Sequence, residues 1–162
     1  MAFGVNGAAG RGSASRLVSS WPWACAVLAM VCLIWGNSLL PGSESGGISL
    51  AVLDAVRGAL RAWGLPYAWL TNFLVRKTAH FTEYAVLGVL VSQALDPRPG
   101  RVRAVLAAAL ALVAVTSIDE TIQLFVPGRS GQVSDVLLDC CGATFGCLLR
   151  ALKARSRWGR DR

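Results

Sequence analysis

Apolar residues fall into four long runs along the chain, separated by short polar or Pro/Gly-rich breaks. No charge occurs from Leu17 to Ser43, and Trp21 to Leu40 is the apolar part of that stretch. About 20 apolar residues cross a bilayer core, so this run predicts a first span. A cleaved signal peptide is the rival reading, because Arg11 and Arg16 precede the run. "NSLLPGSESGG" offers no A-x-A site, however, and the Trp-rich flank suits an anchored helix. A second span is predicted from about Lys77 to Leu95, closing at "DPRPGR". A third runs from near Val102 to about Phe125, where "VPGRSG" breaks it. A fourth starts near Ser134, a suitable N-cap, and ends around Leu149. The segment from Pro41 to Val75 reads as a loop at first ("PGSESGG") and then as an amphipathic helix. Leu50, Leu53, Val56 and Leu60 share one face of it, with Asp54, Arg57 and Arg61 elsewhere. The pattern predicts an all-α fold: a polytopic membrane bundle of about four transmembrane helices. An interfacial or re-entrant helix, or one packed as a lid, joins the first and second.

Composition supports this. The chain is 54% apolar and 15% charged, with a mean hydropathy of +0.52, whereas a soluble domain carries about 25% charged residues. The net charge of +7 suggests nucleic acid at first sight, but six of the sixteen Lys and Arg residues lie beyond Leu149. That block suits a tail facing anionic lipid, and no aromatic-laced basic patch supports nucleic-acid binding. Residues 1–15 are rich in Gly, Ala and Ser and read as a disordered cytoplasmic arm. Residues 16–150 form the transmembrane domain, and 151–162 a basic cytoplasmic tail. Cys25, Cys32, Cys140, Cys141 and Cys147 all lie in apolar runs, without a C-x-x-C pair. They read as small buried hydrophobes, not as disulfides or a zinc site.

Charge also sets orientation. With four spans, Arg11, Arg16, the second loop's arginines and the tail fall on one side. Arg57, Arg61, Arg76, Lys77 and Arg129 fall on the other. Eleven against five places both termini in the cytoplasm by the positive-inside rule. Trp63, Tyr67 and Trp69 then suit the headgroup level of the opposite face.

That orientation brings polar residues to one depth, near the outer leaflet. Lys77, His80, Glu83 and Tyr84 open the second span. Thr116, Asp119, Glu120 and Gln123 end the third, and Asp135 and Asp139 begin the fourth. Spacings of three and four put His80, Glu83 and Tyr84 on one helix face. Asp135, Asp139, Gly142 and Gly146 form a stripe, whose glycines permit close approach of a second helix. Buried carboxylates are costly in a membrane, and only Arg76, Lys77 and Arg129 are fixed cations nearby. The excess of acid points to shared protons, a bound cation or water access. Arg129 is expected to pair with Asp135 or Glu120, or to grip a phosphate or carboxylate. Individually these residues also fit structural roles: Arg76 and Lys77 as snorkelling cations, Asp135 at a helix N-terminus, His80 as a helix–helix hydrogen-bonder.

"NSLLPGSES", "RKTAHFTEYAVLG" and "DETIQLFVPGRSGQVSDVLLDCCGATFG" together resemble the VanZ-like family. Its pattern places K-x-x-H-F-x-E-Y before D-E-x-x-Q-x-F-x-P-G-R and S-D-V-x-x-D/N-x-x-G-A-x-x-G. By resemblance Lys77, His80, Glu83 and Tyr84 occupy the first block. Asp119, Glu120, Gln123, Arg129, Asp135 and Asp139 occupy the later ones. The resemblance implies a polytopic cell-envelope membrane protein. The family's founding member is associated with resistance to lipoglycopeptides such as teicoplanin, so an effect on lipoglycopeptide susceptibility is an expectation here.

Three functions compete. A lipid-linked envelope precursor, membrane lipid or amphiphilic antibiotic binds in an outer-leaflet polar pocket lined by the ten residues of those blocks. Alternatively, an intramembrane hydrolase or transferase acts on a lipid-linked phosphate, with His80, Glu83 and Glu120 as catalytic candidates. No cofactor is required by the first reading. In the second, a single histidine among carboxylates suits Mg²⁺ or Mn²⁺ better than structural zinc. A proton-coupled carrier ranks last, because the cytoplasmic halves of the spans are nearly pure Ala, Leu and Val.

Overall fold

A computed structural model describes residues 21–96 and 101–158. Five α-helices make up the fold: α1 (Trp21–Ser38), α2 (Gly42–Ala62), α3 (Asn72–Leu95), α4 (Val102–Leu124) and α5 (Val133–Trp158). Among the described residues there is no strand. Two helices, α1 and α4, are long and apolar enough to cross a membrane. Only 17% and 28% of their most apolar stretches are buried, so Leu28, Leu33, Leu106, Leu110 and Val113 face outward. The core helix of a water-soluble domain has the opposite arrangement, since burying such side chains is what stabilises it.

The other four helices all pack on α3. Its seam with α5 is made by small residues, and each does a definite job. A Cβ on Gly142 would press on the Phe81 carbonyl, and one on Gly146 would strike the Ala85 carbonyl. In the reverse direction, a Cβ on Gly88 would strike Ala143. The two backbones therefore meet closely, as the glycine stripe predicts. Beside this seam Ile34, Tyr84, Leu87, Val91, Ala108, Leu112 and Ala143 form the apolar core. At the far end of α3, Asp96 takes a left-handed conformation (φ 47°) and caps the helix. Its carboxylate accepts from Arg150 at 2.7 Å and Arg101 at 3.2 Å, tying α3, α4 and α5 together.

The predicted boundaries differ from the observed ones in three places. "PGSESGG" is helical, not a loop: α2 begins at Gly42. Its weak intrinsic propensity is overridden by docking, because the Gly42 N–H donates to the Pro127 carbonyl at 2.9 Å and the two chain segments touch at Gly42 and Gly128. Helix α3 starts at Asn72, ahead of Lys77, because the Thr71 hydroxyl accepts from the Leu74 N–H at 3.2 Å. Helix α5 continues past Leu149 into the basic segment as far as Trp158. The cysteines also depart from expectation. All five are free, but Cys25, Cys32 and Cys141 are exposed on outward helix faces instead of buried. The arm expected over residues 1–15 lies outside the described residues.

Candidate functional site

Three helices converge on one polar centre. On α3, His80 and Tyr84 are one turn apart. Helix α4 supplies Thr116, Asp119, Glu120 and Gln123, and α5 supplies Asp139. Successive turns of α4 bury Ala104, Ala108, Leu112, Thr116, Asp119, Glu120 and Gln123. The face that carries the core at one end of α4 thus carries the polar cluster at the other. Asp119 and Asp139 are 0% exposed, and Glu120 is 4% exposed. One ligating atom from each of His80, Asp119, Glu120 and Asp139 lies within 4.8 Å of the others. At that spacing two buried charges repel by roughly 3–4 kcal/mol at an effective dielectric near 20. Among the described residues no Lys or Arg forms an ion pair with Asp119, Glu120 or Asp139.

Hydrogen bonds hold the outer side of this cluster. Gln123 Nε2 donates to Ser38 Oγ and Glu120 Oε1 at 3.3 Å, and to Asp119 Oδ2 at 3.4 Å. Glu120 Oε2 accepts from the Gln132 N–H at 2.9 Å. The inner side is different. Apart from Asn72 Oδ1, every buried side-chain N or O atom without a hydrogen-bond partner, among the described residues, belongs to His80, Tyr84, Asp119 or Asp139. His80 Nδ1 stands 3.7 Å from Asp139 Oδ1, near enough for charge attraction but beyond a hydrogen bond.

The remaining predicted residues take other positions. Lys77 pairs with Asp135 and lies 5.3 Å from the Phe73 ring centroid. Arg129 does not pair with Asp135 or Glu120. Its Nη2 donates to the Asn37 carbonyl at 2.5 Å and its Nε to Leu40 at 3.1 Å, so it closes the open end of α1. Burial lowers the Arg129 pKa from its ordinary value, and Arg76 pushes the same way. Glu83 is absent from the four-residue cluster and lines a neighbouring cleft of about 540 Å³. Met30, Val52, Val56, Leu70, Val75 and Val86 supply its apolar walls, from α1, α2, α3 and, for Leu70, the segment before α3. Neither that cleft nor the part played by Ser38 is foreseen from sequence. Ser38 does continue the buried face of Val31 and Ile34, a spacing that could have flagged it.

Comparisons with curated proteins and with solved structures gave no match. A sequence profile described as VanZ/LLP1 matches residues 23–153, which includes every helix contributing to the centre. With most of its length and all of this polar constellation inside the match, the chain belongs to the VanZ/LLP1 family.

Proposed function

We propose that this is a four-span membrane protein of the cell envelope, with both termini cytoplasmic, that binds an amphiphile from the outer leaflet. Family membership links the chain to the membrane and to envelope or antibiotic-resistance biology. Helices α1, α3, α4 and α5 are the four spans, and α2 lies at the outer interface. At about 1.5 Å per residue, each of the four reaches roughly 27 Å or more, close to the ~30 Å hydrocarbon core.

The observation that carries the reading is the cleft between α1, α2 and α3. Its walls are apolar except for Thr78, Thr82 and Glu83, and Glu83 stands one helical turn from His80. An acyl or prenyl chain fits such walls, and a polar head fits the acid–histidine side. The ligand class is a membrane lipid, a lipid-linked envelope precursor or an amphiphilic antibiotic. Altered susceptibility to lipoglycopeptides such as teicoplanin would follow from binding either of the last two. Hydrolysis or transfer by His80, Glu83 and Glu120 is supported less well, because the acids nearest His80 are fully enclosed.

Amphiphile content after purification tests the proposal. Mass spectrometry of extracts from the parent protein should find a stoichiometric amphiphile. Val86→Trp, which fills the cleft, should lose it, while Val113→Trp on the outer face of α4 should keep it. Equal content in all three proteins would contradict the cleft as the binding place.

A further inference from the structure

We propose that His80, Asp119, Glu120 and Asp139 form a binding site for a divalent cation of the Mn²⁺ type. The residues come from three different helices, so no local sequence preference brings them together. Only the packing of α3, α4 and α5 does so, and it places their ligating atoms within 4.8 Å of one another. Donors held by one small divalent ion are separated by at most about twice a bond of 2.0–2.2 Å. The cluster needs to contract by about 0.4–0.8 Å to meet that limit.

A second observation is independent of the acid count. Tyr84 is 0% exposed one helical turn from His80, and its hydroxyl has no partner at hydrogen-bond geometry. Asp119 Oδ1, both Asp139 oxygens and His80 Nδ1 are also without a hydrogen-bond partner, and all three residues belong to the cluster. Buried polar atoms of a folded protein are normally satisfied, and here three of the four cluster residues, His80, Asp119 and Asp139, carry atoms without a partner. A cation answers this in one step: it takes the carboxylate oxygens and the imidazole nitrogen, and it offsets the mutual repulsion. Tyr84 is then placed to donate to a carboxylate. Outside the ligating atoms, Gln123 and the Gln132 N–H hold Asp119 and Glu120 in position, as partners behind metal ligands usually do.

The donor set narrows the ion. Three carboxylates and one imidazole contain no thiolate, which disfavours structural zinc, and the nitrogen disfavours calcium. Mn²⁺ accepts such a mixture and retains positions for water or a ligand headgroup. Of the three nearby basic groups, two are committed elsewhere, Lys77 to Asp135 and Arg129 to the end of α1. This cation site stands apart from the amphiphile reading, because Mn²⁺ binding by a lipid-free protein supports the one without touching the other.

The test is Mn²⁺ titration of the full chain, purified in detergent with a tag that contains no histidine, followed by electron paramagnetic resonance. The parent protein should take up a single Mn²⁺ per chain. Because the chain has one histidine, pulsed measurements of bound Mn²⁺ should show coupling to an imidazole nitrogen, and only His80 can supply it. Asp139→Asn and His80→Gln should each weaken binding at least about tenfold, while Asp54→Asn on the exposed face of α2 should leave it unchanged. Absence of Mn²⁺ binding, or bound Mn²⁺ without nitrogen coupling, overturns the proposal. The spectroscopic arm uses only the parent protein and so stays decisive if the variants fail to fold.

Discussion

Arg129 illustrates how a charged residue in this chain serves the fold before it serves a ligand. From the α4–α5 loop the Arg129 guanidinium donates to the carbonyl of Asn37, in the last turn of α1, and to that of Leu40, two residues past the end of the helix. Replacing Arg129 with Ala should therefore lower stability by about 1.5–3 kcal/mol, the contribution of hydrogen bonds from a charged group. Lysine should rescue little, since it lacks the planar fork that serves both carbonyls. Thermal unfolding of the detergent-solubilised protein checks both, and an unchanged midpoint for Arg129→Ala would remove this role. Sequence alone placed Arg129 near the acids because the loop is short. Partner choice depends on where α1 ends in space, and no spacing within the loop encodes that.

At the scale of elements, the seam between α3 and α5 controls whether the centre exists. His80 and Asp139 approach only because Gly142, Gly146 and Gly88 let the two backbones touch. Gly142→Leu and Gly146→Leu should each push the helices apart and lower the melting temperature sharply. Gly36→Ala, with open space around its Cα, should be neutral or slightly stabilising through helix propensity. If Gly146→Leu melts like the parent, the close seam is wrong. The seam was legible in the sequence, since "GATFG" puts two glycines four apart on the stripe of Asp139. The four apolar runs likewise anticipated α1, α3, α4 and α5 to within a few residues at most ends. Two features were not legible. The "SESGG" turn of α2 is helical through a contact with Pro127, far away in the chain. The outward-facing cysteines follow from helix rotation, which a run that is apolar all round leaves open.

For the whole molecule, sidedness decides what the polar centre can meet. The polar centre, the cleft and the α2 helix all lie toward the ends of the helices joined by residues 63–71 and 125–132. The ends held by Asp96, Arg101 and Arg150 lie opposite. The proposed topology takes the latter side as cytoplasmic, from the count along the sequence of eleven Lys and Arg against five and the positive-inside rule. A centre on the outer side can meet envelope lipids or antibiotics, whereas one on the inner side cannot. Cysteine labelling measures this directly. In a background with the five native cysteines replaced, Ser130→Cys lies in the α4–α5 loop and Ser156→Cys in the basic segment. A membrane-impermeant maleimide should label Ser130→Cys in intact cells and Ser156→Cys only after permeabilisation. Labelling of Ser156→Cys in intact cells, with Ser130→Cys protected, would invert the molecule and contradict an outward-facing site.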